Sequence, residues 1–495
     1  MNFRFCFGCA CIALANSCTT TAPPPTGPLA NIDTIVVIYA ENHSFDNIYG
    51  LFPGANGVAS AFPATTRQLD HDGKALPHLP PVYRRGKPDS RFPMSMPNGP
   101  FRIDGPPVNK RFDERVPSPV HTYWRHIEQI NGGNNNKFVA MSNTGAWTMG
   151  YYDGSSLRMW QWARRYTLAD NFFMGAFGSS FLNHHWLVCA CTPTFKDAPA
   201  SMRAELDENG KLKRKPSSPQ SVLDGPVELV RDGQVTPDGY VVQAGDPPYQ
   251  PSGTPPAPGG NLDLADPAKH PLPPQVAKTI GDTMSARGVS WVWYADAWDA
   301  AVADGRRPPE AKRNVIYNED SGSPDFQAHH QPFNYYARFA PGTEDRARHL
   351  KDGKDFEEAI AKGTLPQVSF YKPAGKLAQH PGSTDMQRGD IHIAGLLEKL
   401  EKSPQWPRML VIVTYDENGG YWDHVSPPMD AGSSDRWGPA TRVPAIFVGP
   451  TVKKGYVDHT RYDTTSIIRL ITRRFGLEPL PGVRRRMGDL TEALE

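Results

Sequence analysis

The amino-acid sequence predicts an α/β protein built on a mostly parallel central sheet. Short β-branched runs alternate with longer amphipathic runs along the 495 residues, which is the pattern of alternating strands and helices. The strand candidates are almost wholly apolar, as expected for parallel strands that are buried on both faces. The chain also contains 50 prolines and 44 glycines, which predict long, irregular loops on this scaffold.

The individual elements follow from local patterns. Five apolar runs are the predicted strands: residues 34–39, 289–294, 368–371, 409–415 and 443–448. Four amphipathic runs are the predicted helices: residues 155–166, 274–287, 390–402 and 464–475. Gly476 is expected to end the last helix, because glycine readily adopts the left-handed conformation found there. Residues 195–275 are rich in Pro, Gly, Asp and Lys, and predict an irregular insertion packed on the core.

The overall charge excludes one class of partner. The formal net charge is +1, with 39% hydrophobic and 21% charged residues, an ordinary composition for a globular protein. A chain with so little net charge has no global field that would attract nucleic acid or an anionic membrane. We therefore expect no nucleic-acid partner.

The N-terminal residues predict export. Residues 1–18 contain one charge, Arg4, followed by an apolar run that is too short to span a bilayer. Cys18 ends a degenerate lipoprotein cleavage site, so two alternatives stand: a lipid anchor on Cys18, or an ordinary cleaved signal. The Pro/Thr-rich residues 19–30 then form a tether. We expect a periplasmic or secreted protein, without a transmembrane segment.

The remaining cysteines predict no special chemistry. Four of the six cysteines lie in or at the export signal, which leaves Cys189 and Cys191. A disulfide between cysteines so close along a strand would be strained, and no further soft ligands for a metal stand nearby. Both are therefore predicted to be buried structural thiols.

Polar residues suited to a metal directly follow two of the predicted strands. Glu41 and Asn42 follow the first strand, and Asp416 and Glu417 follow residues 409–415. Ligands of open α/β sheets bind outside the carboxyl ends of the strands, and oxygen donors without thiolates suit Mg²⁺, Ca²⁺ or Mn²⁺. For either segment alone, a helix N-cap or a turn is the alternative. The two together predict one divalent metal ion.

These segments resemble a known family. The strings at residues 41–50, 415–425, 442–444 and 463–470 are similar to those of the bacterial acid phosphatase and phospholipase C phosphoesterase family, within the alkaline phosphatase superfamily. The resemblance implies an alkaline-phosphatase-like, three-layer α/β/α sandwich with long loop insertions. It also implies a single phosphoesterase domain over residues 31–490, which includes the irregular insertion.

The same resemblance implies a nucleophile. In the segment Gly178 to His184, a serine stands three residues before an asparagine, as in the nucleophile segment of the family. This selects Ser180 as the nucleophile and a metal ligand, and Asn183 as a phosphate-binding amide. Coordination to a divalent cation would stabilise the serine alkoxide. From the residues alone, a serine-rich loop that caps a helix is the alternative.

The family pattern also implies roles for several histidines. His121, His329 and His330 are expected to bind phosphate, and His380 to act as a catalytic acid. An imidazole is half protonated near pH ~6.5, so a histidine-lined site predicts a preference for mildly acidic conditions. Taken singly, each histidine is more often a surface or structural residue, and the four together in the family pattern indicate a site. Asp423 and His424 are expected to lie behind the metal ligands and to orient them.

We therefore expect a metal-dependent acid phosphatase that hydrolyses small-molecule phosphate monoesters through a phosphoserine intermediate. The alternative is a phospholipase C that acts on phosphodiesters, but such relatives carry additional C-terminal β domains, and this sequence ends shortly after Arg486. A sulfatase is disfavoured because no Cys/Ser-x-Pro-x-Arg segment occurs. A binding module without catalysis is disfavoured because the acids, Ser180 and Asn183 are all present.

Overall fold

The computed structural model describes residues 26–495, and an eight-stranded sheet lies at its centre. The strands are β1 Thr34–Ala40, β2 Tyr83–Arg84, β3 Lys87–Pro88, β4 Phe101–Arg102, β5 Gly150–Tyr151, β6 Thr167–Ala169, β7 Phe172–Phe173, β8 Trp291–Ala295, β9 Leu350–Asp352, β10 Val368–Lys372, β11 Met409–Tyr415, β12 Ala445–Val448, β13 Tyr456–Asp458 and β14 Tyr462–Asp463. The helices are α1 Phe45–Tyr49, α2 Pro63–Thr66, α3 Tyr123–Ile130, α4 Phe138–Met141, α5 Arg158–Arg165, α6 Ser180–Cys189, α7 Ile280–Ala286, α8 Trp298–Gly305, α9 Glu344–His349, α10 Gly353–Lys362, α11 Met386–Glu401 and α12 Thr464–Phe475.

The strand order of the central sheet is β13-β6-β12-β11-β1-β10-β8-β9. All neighbouring pairs run parallel except those that involve β12, which is antiparallel to β11 and to β6. The predicted mostly parallel sheet is thus confirmed. Strands β1 and β11 are buried along their whole length, because helices and loops cover both faces.

Helices lie on both faces of this sheet. On β8, Tyr294 packs against Phe356 of α10 with ring centroids 5.2 Å apart. The preceding residue, Trp293, packs against His184 of α6, with the ring centroids 6.1 Å apart. Successive side chains of a strand point to opposite faces, so α10 and α6 cover opposite sides. The predicted three-layer α/β/α arrangement is confirmed.

Capping residues explain where the predicted element boundaries were right or wrong. Helix α12 spans the predicted residues 464–475, since Asp463 accepts a hydrogen bond from the Ser466 N–H at its start and Gly476 ends it with a φ of 61°. The helix predicted over residues 274–287 is shorter, because the Thr279 capping box sets its start. The helix predicted over residues 155–166 is likewise shorter, and α11 begins four residues before the predicted position.

Residues 195–275 contain no α-helix and no strand of a named sheet. They form two 3-10 turns, at Ala200–Met202 and Pro267–Lys269, and otherwise isolated bridges. Val222, Val235 and Val241 of this region are buried in the main hydrophobic core. This irregular region therefore packs on the sheet layers rather than forming a core of its own.

The described part of the N-terminus also packs on the domain. Gly27–Asn31 forms a 3-10 turn whose Leu29 is buried, so this end of the predicted tether is not a free linker. The predicted export signal, Cys18 and the tether up to residue 25 lie outside the described residues and stay predictions. Within the described range, 26–495, no helix combines the length and apolar character needed to cross a membrane.

The prediction that Cys189 and Cys191 are thiols was wrong, since the two form a disulfide with Cα atoms 5.1 Å apart. Strand geometry does not apply to them, because Cys189 is the last residue of α6. Ala190 follows in the left-handed conformation, with φ 47° and ψ 42°. This reversal of the chain brings the two Cβ atoms together, which an extended backbone would not do.

Candidate active site

The charged side chains at the centre of the site lie at the carboxyl ends of three neighbouring strands. Strands β11, β1 and β10 lie side by side and parallel, and Ala40 of β1 is in register with Tyr415 of β11. Asp416 and Glu41 therefore emerge next to each other at the carboxyl edge of the sheet. Lys372, the last residue of β10, reaches the same edge. This is the position at which open α/β sheets bind ligands.

A pair of glycines shapes the second acidic segment. Gly419 and Gly420 have φ values of 58° and 75°, a region that L-residues rarely adopt. A Cβ on Gly419 would lie 2.3 Å from the Asn42 carbonyl oxygen, and one on Gly420 would lie 2.6 Å from the Val120 carbonyl oxygen. The glycines thus let the Asp416–Glu417 segment turn tightly against the Glu41–Asn42 segment.

Lys372 is the counter-charge within this cluster. Its Nζ lies 2.9 Å from Glu41 Oε1 and 3.4 Å from Asp416 Oδ2, and all three side chains are fully buried. Burial alone would raise the pKa of Glu41, but the nearby Lys372 and His330 hold it well below its usual range. Glu41 is therefore ionised.

The other two carboxyls lack sufficient counter-charge. Burial raises the pKa of Asp416 to about 7, although Lys372 opposes this shift. Burial and the adjacent Asp416 raise the pKa of Glu417 well above its usual range. Without a further cation, protons are retained on these groups, because burying three carboxylates beside one lysine is costly.

The predicted metal ligands pass a direct test of fit. Three buried oxygen atoms at this edge have no hydrogen-bond partner among the described residues: Glu41 Oε2, Asn42 Oδ1 and Glu417 Oε2. Buried polar oxygens are rarely left unpaired, and oxygen donors of this kind suit a hard divalent cation. Asp416 is more engaged, since Oδ1 accepts from the Glu417 N–H at 2.8 Å. The residues present therefore fit the expected ion.

Ser180 lies directly at this cluster. It is the first residue of α6, only 6% exposed, and its Oγ donates a hydrogen bond to Glu417 Oε1 at 2.5 Å. The first N–H groups of a helix have no acceptor within the helix, and the helix dipole favours negative charge at this end. The hydroxyl is therefore placed where a developing alkoxide and a bound phosphoryl group would be stabilised.

Asn183 does not lie where the resemblance implied. Its Oδ1 accepts from the Ala176 N–H at 2.9 Å, and its Nδ2 donates to the carbonyl oxygens of Ala176 and Ser179 at 3.1 and 3.2 Å. Both amide donors are thus occupied, and the side chain is fully buried. The phosphate-binding role is inconsistent with this geometry. Asn183 instead fixes the loop that presents Ser180.

Three buried histidines form one wall beside the carboxylates. The imidazole of His184 lies 5.8 Å from that of His330 and 5.5 Å from that of His329. Nδ1 of His184 lies 2.7 Å from the Ser180 carbonyl oxygen, and Nε2 of His330 lies 2.6 Å from Glu41 Oε1. Both nitrogens of His329 are buried without a partner among the described residues. The structure therefore places His329 and His330 beside the carboxylates, and their role in binding phosphate stays a prediction.

Burial keeps these imidazoles neutral. Burial lowers the pKa of His184 and of His329 well below the usual value, and also lowers that of His330. These shifts oppose protonation of the three imidazoles, so they do not support the predicted link between half-protonated histidines and mildly acidic conditions.

His121 and His380 line the more open side. Their rings lie 5.9 Å apart, and each directs Nδ1 at a backbone carbonyl oxygen: Pro119 at 2.7 Å and Pro381 at 2.6 Å. Nε2 is therefore the nitrogen that each can offer to a substrate. Nε2 of His121 lies 3.5 Å from Glu417 Oε1, and burial lowers the pKa of this residue to about 4.

A second buried cluster ties the two metal-ligand segments together. Asp423 Oδ2 accepts from the Asp46 N–H at 3.1 Å, and His424 Nδ1 lies 2.6 Å from Asp46 Oδ2. Arg442 is fully buried between these acids, with Nε 2.9 Å from Asp423 Oδ1 and Nη2 3.2 Å from Asp46 Oδ1. Arg442 and a protonated His424 together offset the charge of the two acids, and we interpret the cluster as structural. Its position fits the predicted supporting role of Asp423 and His424.

The His424–Asp46 contact predicts a pH-dependent stability. Burial would lower the pKa of His424, but its hydrogen bond and attraction to Asp46 raise it above 6.5 overall. A raised folded-state pKa contributes stability below pH ~6.5 and loses it as the pH rises through the raised value. We expect His424→Gln to lower the free energy of unfolding by about 1.5–3 kcal/mol at pH ~5.5 and by clearly less at pH ~9.

Chemical denaturation at the two pH values measures this difference. The matched control is His459→Gln, because Nδ1 of His459 lies 2.8 Å from Asp170 Oδ2 but its side chain is 61% exposed. An exposed ion pair contributes about 0–1 kcal/mol. Equal destabilisation of the His424 variant at both pH values would contradict the predicted ionic contribution.

Two residues of the site were not predicted from sequence. Lys372 was missed because the predicted strand ended at residue 371, although a charged residue that closes an apolar strand is itself a signal. His184 was not assigned a role, and only the helical geometry of α6 shows that it faces the carboxylates, with Nδ1 3.8 Å from Asp416 Oδ2. Nothing in the sequence places it there.

A serine hydroxyl beside buried, unpartnered oxygens at the edge of a parallel sheet is an arrangement expected of a hydrolase site. Comparison with known proteins identifies the class: residues 32–478 match the model of the Phosphoesterase family. The chain belongs to this family, as the sequence predicted, and is a hydrolase that acts on phosphoric ester bonds.

Individual relatives are named phospholipases C. The chain is 25% identical to phospholipase C A of Mycobacterium tuberculosis over 517 residues, which cover 95% of this chain and 79% of that protein. It is 23% identical to the non-hemolytic phospholipase C of Burkholderia pseudomallei over 514 residues, which cover 94% of this chain and 59% of that protein. These names favour the phospholipase C alternative over the expected acid phosphatase.

Solved structures show weaker similarity. A protein of the alkaline phosphatase superfamily from Vibrio parahaemolyticus matches with a TM-score of 0.33 and 9% identity, over 80% of this chain and 76% of that one. Murine ectonucleotide pyrophosphatase/phosphodiesterase 5 matches with a TM-score of 0.30 and 11% identity, over 68% and 94% of the chains. Similarity at this level supports no statement about function.

Proposed function

We propose that the protein is a metal-dependent phosphodiesterase of the phospholipase C type, which cleaves its substrate through a covalent intermediate in which Ser180 carries the phosphoryl group together with its remaining ester substituent. The observation that carries this proposal is the placement of Ser180 Oγ, 2.5 Å from Glu417 Oε1, beside buried oxygens that lack partners. The phosphodiester substrate is supported by the names of the relatives in the family. Glu41, Asn42, Asp416, Glu417 and Ser180 would hold the ion.

Each proposed site residue has a distinct role in this reaction. The Ser180 hydroxyl attacks phosphorus, and its proton is already directed at Glu417 Oε1. A divalent cation bound at the carboxylates would stabilise the alkoxide and the charge on the phosphoryl oxygens. The neutral His329 and His330 are positioned to contact phosphoryl oxygens, and His380 is proposed to protonate the leaving oxygen. Water then hydrolyses the bond between Ser180 and phosphorus, which regenerates the hydroxyl and releases the phosphomonoester.

The charge balance favours a diester over a monoester. The three carboxylates of Glu41, Asp416 and Glu417 are offset by Lys372 and one divalent ion, so the proton proposed on His380 is the one positive charge in excess. The buried histidines add none, because burial lowers their pKa values. A phosphodiester carries one negative charge and a phosphomonoester nearly two at neutral pH. The site is therefore better matched to the diester.

Paired substrates test this preference. We expect kcat/KM for bis(p-nitrophenyl) phosphate to exceed that for p-nitrophenyl phosphate by at least about tenfold, a difference of about 1.4 kcal/mol in transition-state stabilisation. Release of phosphocholine from phosphatidylcholine vesicles tests the lipid substrate separately. A preference for the monoester, together with no release of phosphocholine from the vesicles, would contradict this proposal and favour the acid phosphatase.

A further inference from the structure

Lys372 lies in an unusual position for a lysine side chain. It is fully buried at the end of β10, with Nζ between Glu41 Oε1 at 2.9 Å and Asp416 Oδ2 at 3.4 Å. The ammonium group also lies 5.5 Å from the centroid of the Tyr39 ring. Lysine is rarely buried unless paired, and this one is paired with two groups of the predicted metal site.

The carboxylate oxygens of the site fall into two sets. Glu41 Oε1 and Asp416 Oδ2 face Lys372, and Glu41 Oε1 also lies 2.6 Å from His330 Nε2. Glu41 Oε2 and Glu417 Oε2, together with Asn42 Oδ1, have no partner among the described residues. The unpartnered set offers ligands for one ion, and the other set is already occupied by donors.

A second divalent ion would need the occupied set. Paired catalytic metals lie about 3.5–4 Å apart and share a ligand environment. The ligand atoms of Glu41, His329 and His330 approach within 4.8 Å of one another, so these residues could contribute to such a second position. The Lys372 ammonium lies against the same Glu41 oxygen. Placing a divalent ion next to it would bring like charges together at high cost.

We propose that Lys372 is a positioning residue that restricts this site to one divalent ion, by supplying a fixed positive charge where a second ion would bind. This inference rests on the metal site of the proposed function. Because Lys372 is covalently part of a strand of the sheet, its side chain cannot leave the site as a bound ion can. It holds Glu41 and Asp416 in place whether or not the ion is bound.

Metal stoichiometry tests the proposal without an activity assay. The full chain is saturated with Mn²⁺, separated from free ion and analysed for manganese per chain. We expect one ion for the wild-type protein and two for both Lys372→Ala and Lys372→Met, because each change removes the charge; a single ion in Lys372→Met, which keeps most of the side-chain volume, would overturn the role of the charge. Electron paramagnetic resonance should show an isolated Mn²⁺ in the wild-type protein and a coupled pair in Lys372→Ala.

Lys376→Met is the matched control, because Lys376 lies four residues further on and its Nζ donates to the Glu319 carbonyl oxygen, not to the carboxylate cluster. It should bind one ion. Two ions in the wild-type protein would overturn the proposal whatever the variants do. One ion in a Lys372→Ala protein that unfolds cooperatively would overturn it as well. A wild-type protein that binds one ion but cleaves no phosphate ester would contradict only the proposed function.

Discussion

Replacing Ser180 with Ala is expected to lower kcat by at least about 10⁴-fold, because the nucleophile of a two-step displacement has no substitute. The change removes one oxygen atom whose hydrogen bond goes to Glu417. Asn183 and the N-terminus of α6 keep their contacts, so the fold and the oxygen ligands of Glu41 and Glu417 should be preserved. Steady-state rates and rapid-mixing detection of the first product measure the loss.

Ser179→Ala is the matched control for this variant. Ser179 is the neighbouring residue, and its Oγ donates only to the Val242 carbonyl oxygen at 3.3 Å. We expect it to retain most of the activity. Acid quenching of the wild-type reaction with ³²P-labelled diester should trap on Ser180 a labelled phosphoryl group that keeps one ester substituent. Activity of Ser180→Ala within about tenfold of wild type, a change of only about 1.4 kcal/mol, would exclude the serine as nucleophile.

Removal of the metal is expected to abolish hydrolysis, with recovery when Mg²⁺, Mn²⁺ or Ca²⁺ is added back. The carboxylates around Ser180 carry charge that only a further cation can offset, and Glu41 Oε2 and Glu417 Oε2 have no other partner within the described chain. Titration with each ion should also raise the free energy of unfolding, by about 2.7 kcal/mol at a concentration 100 times Kd.

The affinity of the ion should fall as the pH is lowered. Burial raises the pKa of Asp416 to about 7, so below this pH the ion must displace a proton from that carboxyl group. Glu417→Gln should weaken the binding of the ion, whereas Glu401→Gln, at an ion pair with Arg165 outside the site, should not. Full activity after exhaustive chelation, with no metal detected by elemental analysis, would contradict the metal-dependent mechanism.

Much of the scaffold could be predicted because its signals are local. The strand at residues 409–415 and the helix at residues 464–475 occur at the predicted positions, since an apolar run and a capped amphipathic run need little tertiary context. Besides Ser180, four residues are proposed to bind the ion, and they could be predicted for a related reason. They are Glu41, Asn42, Asp416 and Glu417. Parallel strands end at one edge of a sheet, so polar residues that follow two such strands must converge.

Selection of Ser180 required more than local signals. From the residues alone, its segment could be a loop that caps a helix, and it is one, because Ser179 is the N-cap of α6. Only the spacing in the family pattern singled out Ser180, and the structure places that residue against Glu417. The same pattern failed for Asn183, because a spacing along the chain does not show which groups its amide contacts.

The sequence by itself determined the fold class and the proposed oxygen ligands, because apolar patterning and strand ends act over short distances along the chain. Tertiary structure alone decided the electrostatics. Lys372 meets Glu41 and Asp416 from a different strand, and burial, which no single segment controls, lowers the pKa values of His329 and His330. The charge and protonation of a site depend on which distant groups share its low-dielectric interior, and that depends on packing.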